Sequence, residues 1–219
     1  MEDFFVFFPP EENPELEALL ERHSKILSLP ARKVFVRPGD PVETILCVKS
    51  GRTRHYNVSP EGEEKVVYIL SRGWFLREST FLVEHKVASR FSMAETDAEL
   101  YEIDRAGYGE LSRHPEFLKG LLKSSSIKNE ILRRRSEGIA FDSGKARLLK
   151  LLRSLGDRSR IADGHWMPLS IQYTQAEMAS ILGVTRVSVS RFMTELVSEG
   201  KLRTLNRRIQ INCDGEPSR

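Results

Sequence analysis

Short apolar runs alternate with turn residues from residue 33 to residue 103. The runs at 33–36, 45–48, 53–58 and 65–70 are closed by Pro38-Gly39-Asp40, Ser50-Gly51, Pro60-Glu61-Gly62 and Arg72-Gly73. That rhythm predicts many short antiparallel strands, with a further strand over 93–103. So many strands leave open edges unless the sheet closes, so the expected form is a small β-barrel or jelly roll. Ahead of it, Asn13-Pro14 opens a helical stretch over 15–23 with Leu16, Leu19 and Leu20 at helical spacing.

The period changes after His114-Pro115. Leu118, Leu121, Leu122, Ser125, Ile127, Ile131 and Leu132 recur at three- and four-residue steps, predicting one long helix. Its polar side is expected to carry Lys119, Lys123, Lys128, Glu130 and Arg133 to Arg135. A helix of this kind either packs as an ordinary core element or pairs with its own copy, and both at once is the preferred expectation. Gly138 and Asp142-Ser143-Gly144 read as a hinge before a second helix over 145–155.

The most specific pattern begins at Thr174. Thr174 with Glu177 three residues later forms a capping box ahead of Met178, Ile181 and Leu182. Gly183 supplies the positive φ of a tight interhelical turn, and Thr185 caps a second helix. Advancing 100° per residue puts Val189, Phe192, Met193 and Leu196 on one side. Arg186, Val187, Ser190, Arg191 and Thr194 fall opposite. Two arginines, hydroxyls and a small apolar group suit a DNA major groove, where Arg meets guanine and Val a thymine methyl. Beyond Gly200, basic residues including Arg207 stand at the tip of a predicted β-hairpin wing suited to phosphate contact. The expected DNA-contacting set is Thr174, Gln175, Thr185, Arg186, Val187, Ser188, Ser190, Arg191 and Arg207. The fold class is therefore α+β: an N-terminal antiparallel barrel (1–113), a long dimerisation helix (114–140) and a C-terminal winged helix-turn-helix (141–219).

Charge sharpens this picture. The whole chain has a net charge of only +3. From Phe141 onward, however, 13 Lys/Arg face 8 Asp/Glu, against 21 and 23 in the first 140 residues. The basic excess belongs to the segment read as DNA-binding. Two cysteines, Cys47 and Cys213, make a disulfide framework improbable and a reducing cytosol the simpler setting. The Phe4 to Phe8 run follows acidic residues and is too short for a signal peptide, and no stretch reaches membrane-spanning length. A cytoplasmic protein without membrane contact is expected. Glu61, Glu63 and Glu64 form an ordinary solvated turn, and no nucleophile-base pair or metal spacing occurs, so an enzyme and a bound cofactor are not expected.

Tyr173 to Arg191 (YTQAEMASILGVTRVSVSR), with Val48-Lys49-Ser50-Gly51 and Gly73-Trp74-Phe75, resembles the CRP/FNR superfamily along nearly the whole chain. The reading helix is most similar to that of the chlorophenol-responsive regulators. The resemblance implies a cyclic-nucleotide-binding-type barrel, a dimer helix, a palindromic promoter site and RNA polymerase as a further partner. Members that bind cyclic AMP hold its phosphate with a Gly-Glu-Leu turn and an Arg-Ser pair. Arg77-Glu78-Ser79 and Ala88-Ser89 stand there instead, so the main cation is missing and cyclic AMP is not the expected effector. The effector is expected between Arg77, Glu78, Ser79, Ala88 and Ser89 and the apolar helix residues Ile127, Ile131 and Leu132. A hydrophobic or aromatic anion paired with Arg77 would fit. The alternative is a haem- or redox-sensing member of the same family, for which His55, His85, His114 and Cys47 are the candidates, but none sits in a haem-ligand motif. Cys47 reads as a buried hydrophobe, and nothing near Cys213 activates it.

Overall fold

The computed structural model describes residues 6–7, 13–83, 87–161 and 165–213. Phe4, Phe5, Phe8 and His85 lie outside that set. Contacts divide the chain within a helix, at Leu132 and Arg133, into two compact units.

The first unit is a two-sheet β structure with helices against it. One sheet has the order β1-β6-β5-β8-β3, from Val6–Phe7 (β1), Glu64–Leu70 (β6), Thr53–Val58 (β5), Phe91–Ala94 (β8) and Val34–Val36 (β3). The other runs β2-β9-β4-β7, from Lys25–Leu29 (β2), Ala98–Ile103 (β9), Ile45–Ser50 (β4) and Phe75–Leu76 (β7). The pairs β2/β9, β4/β9, β4/β7, β5/β6, β5/β8 and β3/β8 are all antiparallel. Four consecutive residues of β4, Ile45 to Val48, are buried because both faces of this strand are covered. Leu46 and Val48 join Leu70, Trp74, Leu76 and Leu100 in one core cluster. Ile45 and Cys47 join Leu16, Leu20, Phe75, Phe117 and Leu121 in the other.

The strand expected over 93–103 is two strands, β8 and β9. Glu95, Thr96 and Asp97 break it because each spends its side chain on a distant segment: Glu95 takes Arg52 and Arg54, Thr96 takes the Arg52 amide, and Asp97 takes the Ala31 amide. Helices α1 (Pro14–His23), α2 (Glu78–Leu82) and α3 (Arg105–Leu111) complete the barrel's coverage. Asn13 caps α1 through the Leu16 amide and Asp104 caps α3 through that of Gly107.

The long helix α4 runs from Pro115 to Phe141, 27 residues or about 40 Å. Gly138 lies inside it, accepting from the Asp142 amide, so the expected hinge narrows to the residues after Phe141. Within the first unit, α4 buries Phe117, Leu121, Ser124 and Lys128. Lys128 is thus not on the polar side, and only 7% of it is exposed.

The second unit holds α5 (Gly144–Ser154), capped by Ser143, then a 3-10 turn over Arg158–Arg160 and strand β10 (Trp166–Pro168). Helices α6 (Gln175–Leu182) and α7 (Arg186–Ser198) follow, then the hairpin of β11 (Leu202–Leu205) and β12 (Arg208–Asn212). Its sheet has the order β10-β12-β11. Leu148, Leu151, Leu152, Met178, Ile181, Leu182, Val189 and Leu196 are buried here.

Candidate nucleic-acid interface and barrel cavity

Two consecutive caps build the helix pair. The Thr174 hydroxyl accepts from the Glu177 amide at 3.2 Å, and the Glu177 carboxylate accepts from the Thr174 amide at 2.7 Å. Gly183 ends α6 in the left-handed region at φ 67°, where a Cβ would be strained. Two residues later, Thr185 accepts from the Ser188 amide and starts α7. The chain therefore turns a corner in three residues.

On α7, Val189 and Leu196 are buried, and Phe192 and Met193 half-buried. Arg186, Val187, Ser190, Arg191 and Thr194 are exposed, Val187 at 79%. A valine so exposed gains nothing for the fold, since packing rewards only apolar surface removed from water. Arg191 lies over the Phe192 ring at 5.3 Å with Glu195 at 3.9 Å, which leaves its guanidinium at the surface. Other residues in the expected contact set have internal roles. Ser188 is half-buried and its hydroxyl bonds that of Thr185. Gln175 is half-buried, with its amide nitrogen 3.9 Å from the Met193 sulfur. The wing turn places Asn206 and Arg207 at φ 49° and 62°, the two-residue geometry that matches strand twist, and presents Arg207 and Arg208 to solvent. Arg203 stacks on Trp166 at 4.4 Å and steadies the wing's base.

The barrel unit contains a cavity of about 260 Å³. Its walls bring together Arg77, Glu78, Ser79, Ala88, Ser89 and Leu132 from the expected effector set. Ile127 and Ile131 are a correction, because they pack against the core cluster around Leu46, Trp74 and Leu76 instead of lining the cavity. They lie on the stripe of α4 that meets the strands, while the adjacent stripe supplies Ser125, Lys128, Asn129 and Leu132 to the cavity. That wall is therefore more polar than the sequence reading held.

Arg77 precedes α2 in a left-handed conformation, φ 65°, and donates to the Thr44 hydroxyl at 3.2 Å. Its Nε is buried without a partner. Burial pulls its pKa below the usual arginine range, against the opposing pull of Glu102 and Asp40. Glu78, only 4% exposed, accepts from the Lys128 ammonium, which also donates to the Phe75 carbonyl at 2.8 Å. Burial holds the Lys128 pKa below its ordinary value, and the Glu78 carboxylate opposes that shift. Ser124 accepts from the Phe75 amide at 3.2 Å, so α4 is fastened to the β7–α2 connection at three points.

Lys128 is one of the cavity residues the sequence reading missed, with Arg90, Ser125 and Asn129 among the others. Its signal was present, since positions 121, 124 and 128 fall on one helix face at the spacing of a buried stripe. His55, considered above as a haem ligand, also lines the cavity, but its two ring nitrogens bond Thr53 at 3.0 Å and Ser92 at 2.9 Å. Burial first, then Lys128, Arg90 and Arg77, keep its pKa well below the ordinary histidine value. His114 sits at the start of α4 with its ring 6.3 Å from that of His23. Cys47 is fully buried and its thiol is pushed strongly up by desolvation, the opposite of an activated cysteine. Among the described residues no group of histidines, cysteines and carboxylates has metal-binding geometry, and no helix is long and apolar enough to cross a membrane.

Comparison with known proteins gives the same two parts in the same order. Residues 26–114 match the cyclic nucleotide-binding domain, and residues 146–213 the Crp-like helix-turn-helix domain. The cAMP-activated global transcriptional regulator CRP of Pasteurella multocida is 24% identical over 188 residues, spanning 85% of this chain and 89% of the relative. Among solved structures, the c-di-GMP responsive global regulator CLP of Xanthomonas campestris superposes with a TM-score of 0.78 at 20% identity, over 91% of this chain and 99% of that one. CprK in complex with OCPA gives a TM-score of 0.72 at 17% identity, over 96% and 95%. These relatives are transcription regulators, not enzymes. A cavity-bearing barrel, a long helix and a helix pair whose arginine side stands open thus coincide with both domain matches, and the chain belongs to the CRP/FNR family of DNA-binding transcription regulators with an effector-binding domain.

Proposed function

We propose that this regulator binds a palindromic promoter site as a homodimer, under the control of an anionic small molecule other than cyclic AMP held in the barrel cavity. The open face of α7 carries the DNA half of this reading: Arg186, Val187, Ser190 and Arg191 meet base edges, and Arg207 meets phosphate. Pairing through α4 (114–140), between an effector domain (1–113) and a DNA-binding domain (141–219), sets two reading helices about 34 Å apart. Leu122, 68% exposed, and Phe141, 87% exposed, support pairing along that helix, because large apolar groups so exposed gain from cover. Promoter-bound dimers then act on RNA polymerase in the cytoplasm.

The effector class follows from the cavity's charges. Arg77, Arg90 and Lys128 face a single carboxylate, Glu78, with His55 neutral, so an anion is favoured. The small buried Ala88 stands where cyclic-AMP-binding members carry their phosphate-holding arginine, which argues against cyclic AMP. Selection from random duplexes should enrich a two-fold symmetric site, and calorimetry should detect no cyclic AMP binding. Cyclic AMP bound in the micromolar range would overturn the effector assignment. Failure to enrich any sequence at low salt would overturn the DNA assignment.

A further inference from the structure

Helix α6 ends with carbonyls that its own backbone does not satisfy. The amides of Gly183 and Val184 both turn back to the Ala179 carbonyl. The last two carbonyls of the helix are taken by guanidinium groups: Arg135 Nη2 donates to the Ile181 carbonyl at 2.7 Å, and Arg147 Nη1 to the Leu182 carbonyl at 3.3 Å. Arg135 comes from the last turns of α4 and Arg147 from the first turn of α5. Two helices therefore converge on the C-terminal end of a third.

Two cations seldom crowd together without a reason. Burial, and after it the neighbouring Arg147, pulls the Arg135 pKa down to about 10. Arg147 keeps its Nε buried and unpartnered. What compensates is the partial negative charge at the end of α6, which favours cations within its last turn. The guanidinium fork also fixes direction as well as distance, which a single ammonium does not. The gripped residues, Ile181 and Leu182, lie immediately before the three-residue corner whose next residue is Arg186, the first of the reading helix.

We propose that Arg135 and Arg147 are positioning residues for DNA reading, a clamp through which the end of α4 sets the angle of the α6–α7 corner. The proposal rests on the reading of α7 as the base-contacting helix. It gives regulation a physical route: displacing the last turns of α4 moves Arg135, and Arg135 holds the element that aims Arg186 to Arg191. Neither arginine touches DNA in this scheme, so losing either should misaim the reading helix while leaving phosphate attraction intact.

Fluorescence anisotropy on the full-length protein tests it, with the duplex selected by the wild type and a shuffled duplex of equal length. Losing one charge-assisted bond predicts that Arg135→Gln and Arg147→Gln each weaken operator binding about tenfold and shuffled-duplex binding less than about twofold. Arg135→Lys, which keeps a donor and the charge but not the fork, should recover part of the loss. Parallel loss on both duplexes would overturn the clamp, since it signals phosphate contact or general unfolding. Unchanged operator affinity, or a Lys variant no better than Gln at equal thermal stability, would overturn it as well. A wild type that selects no sequence would sink the DNA-reading proposal itself. A wild type that reads its operator beside variants that read it equally well would sink the clamp alone.

Discussion

Lys128 on α4 donates to the carboxylate of Glu78 at the start of α2, and both side chains are almost wholly buried. Taking two charges out of water is costly, and the pair is tolerated because each is the other's counter-ion and Lys128 gains a second acceptor in the Phe75 carbonyl. The pair lines the barrel cavity, so the polar contact that holds α4 to the barrel is also one that the anionic effector proposed above would meet.

Lys128→Met should accordingly destabilise the barrel by about 3–5 kcal/mol, because Glu78 is then left buried and uncompensated. Lys128→Met with Glu78→Leu should recover much of that loss, as apolar replacements of a whole buried pair often do. Urea denaturation of the two variants checks this. A double variant no more stable than the single would contradict it.

His55 predicts a pH dependence. Unfolded, it titrates near about 6.5, whereas in the barrel its pKa lies well below that value. Below that pH the unfolded chain takes up a proton that the folded barrel refuses. The contribution of this group is therefore whole above the unfolded pKa and is lost as pH falls towards the folded one, at up to ~1.4 kcal/mol per pH unit. Urea midpoints measured at descending pH should fall more steeply for the wild type than for His55→Asn. Equal slopes would show that His55 is not the group responsible.

The two classes of arginine should separate in binding experiments. Arg191→Ala is expected to cost about 1–3 kcal/mol and relax preference at one base pair. Arg207→Ala, at the wing tip, should weaken all sequences alike and lower the salt slope by about 1. Anisotropy titrations over a range of salt, on operator and shuffled duplex, distinguish these outcomes. Equal sequence-independent losses would contradict the assignment.

Val187 offers a change of specificity. Its apolar side chain cannot accept a hydrogen bond from a cytosine amino group, so the half-site should carry an A·T pair at that step. Val187→Glu restores an acceptor and should shift the selected pair to G·C. Selection with both proteins checks it, and a strict G·C pair for the wild type would refute the assignment.

The sequence alone carried most of what depends on neighbours along the chain, though Gly138, read as part of a hinge, continues α4. The Thr174–Glu177 capping box, the left-handed Gly183, the Thr185 cap and the two-sided α7 are written in spacings of three and four residues. The strand rhythm gave β4, β5 and β6 to within a residue or two, because alternation and turn residues are local signals. The break at Glu95 to Asp97 was not legible, since those side chains are spent on partners more than forty residues away. The depth of Lys128 was legible only in part: its spacing from Leu121 and Ser124 marks a buried stripe, but its charge suggested solvent until Glu78, fifty residues earlier, was brought against it. Ile127 and Ile131 kept the apolar stripe predicted for them, but which side of that stripe faces a strand and which a cavity depends on how α4 is rolled against the sheets. Periodicity fixes what a helix offers on each face. Only packing between distant segments chooses what each face will meet, and the cavity wall and the arginine grip on α6 are both results of that choice.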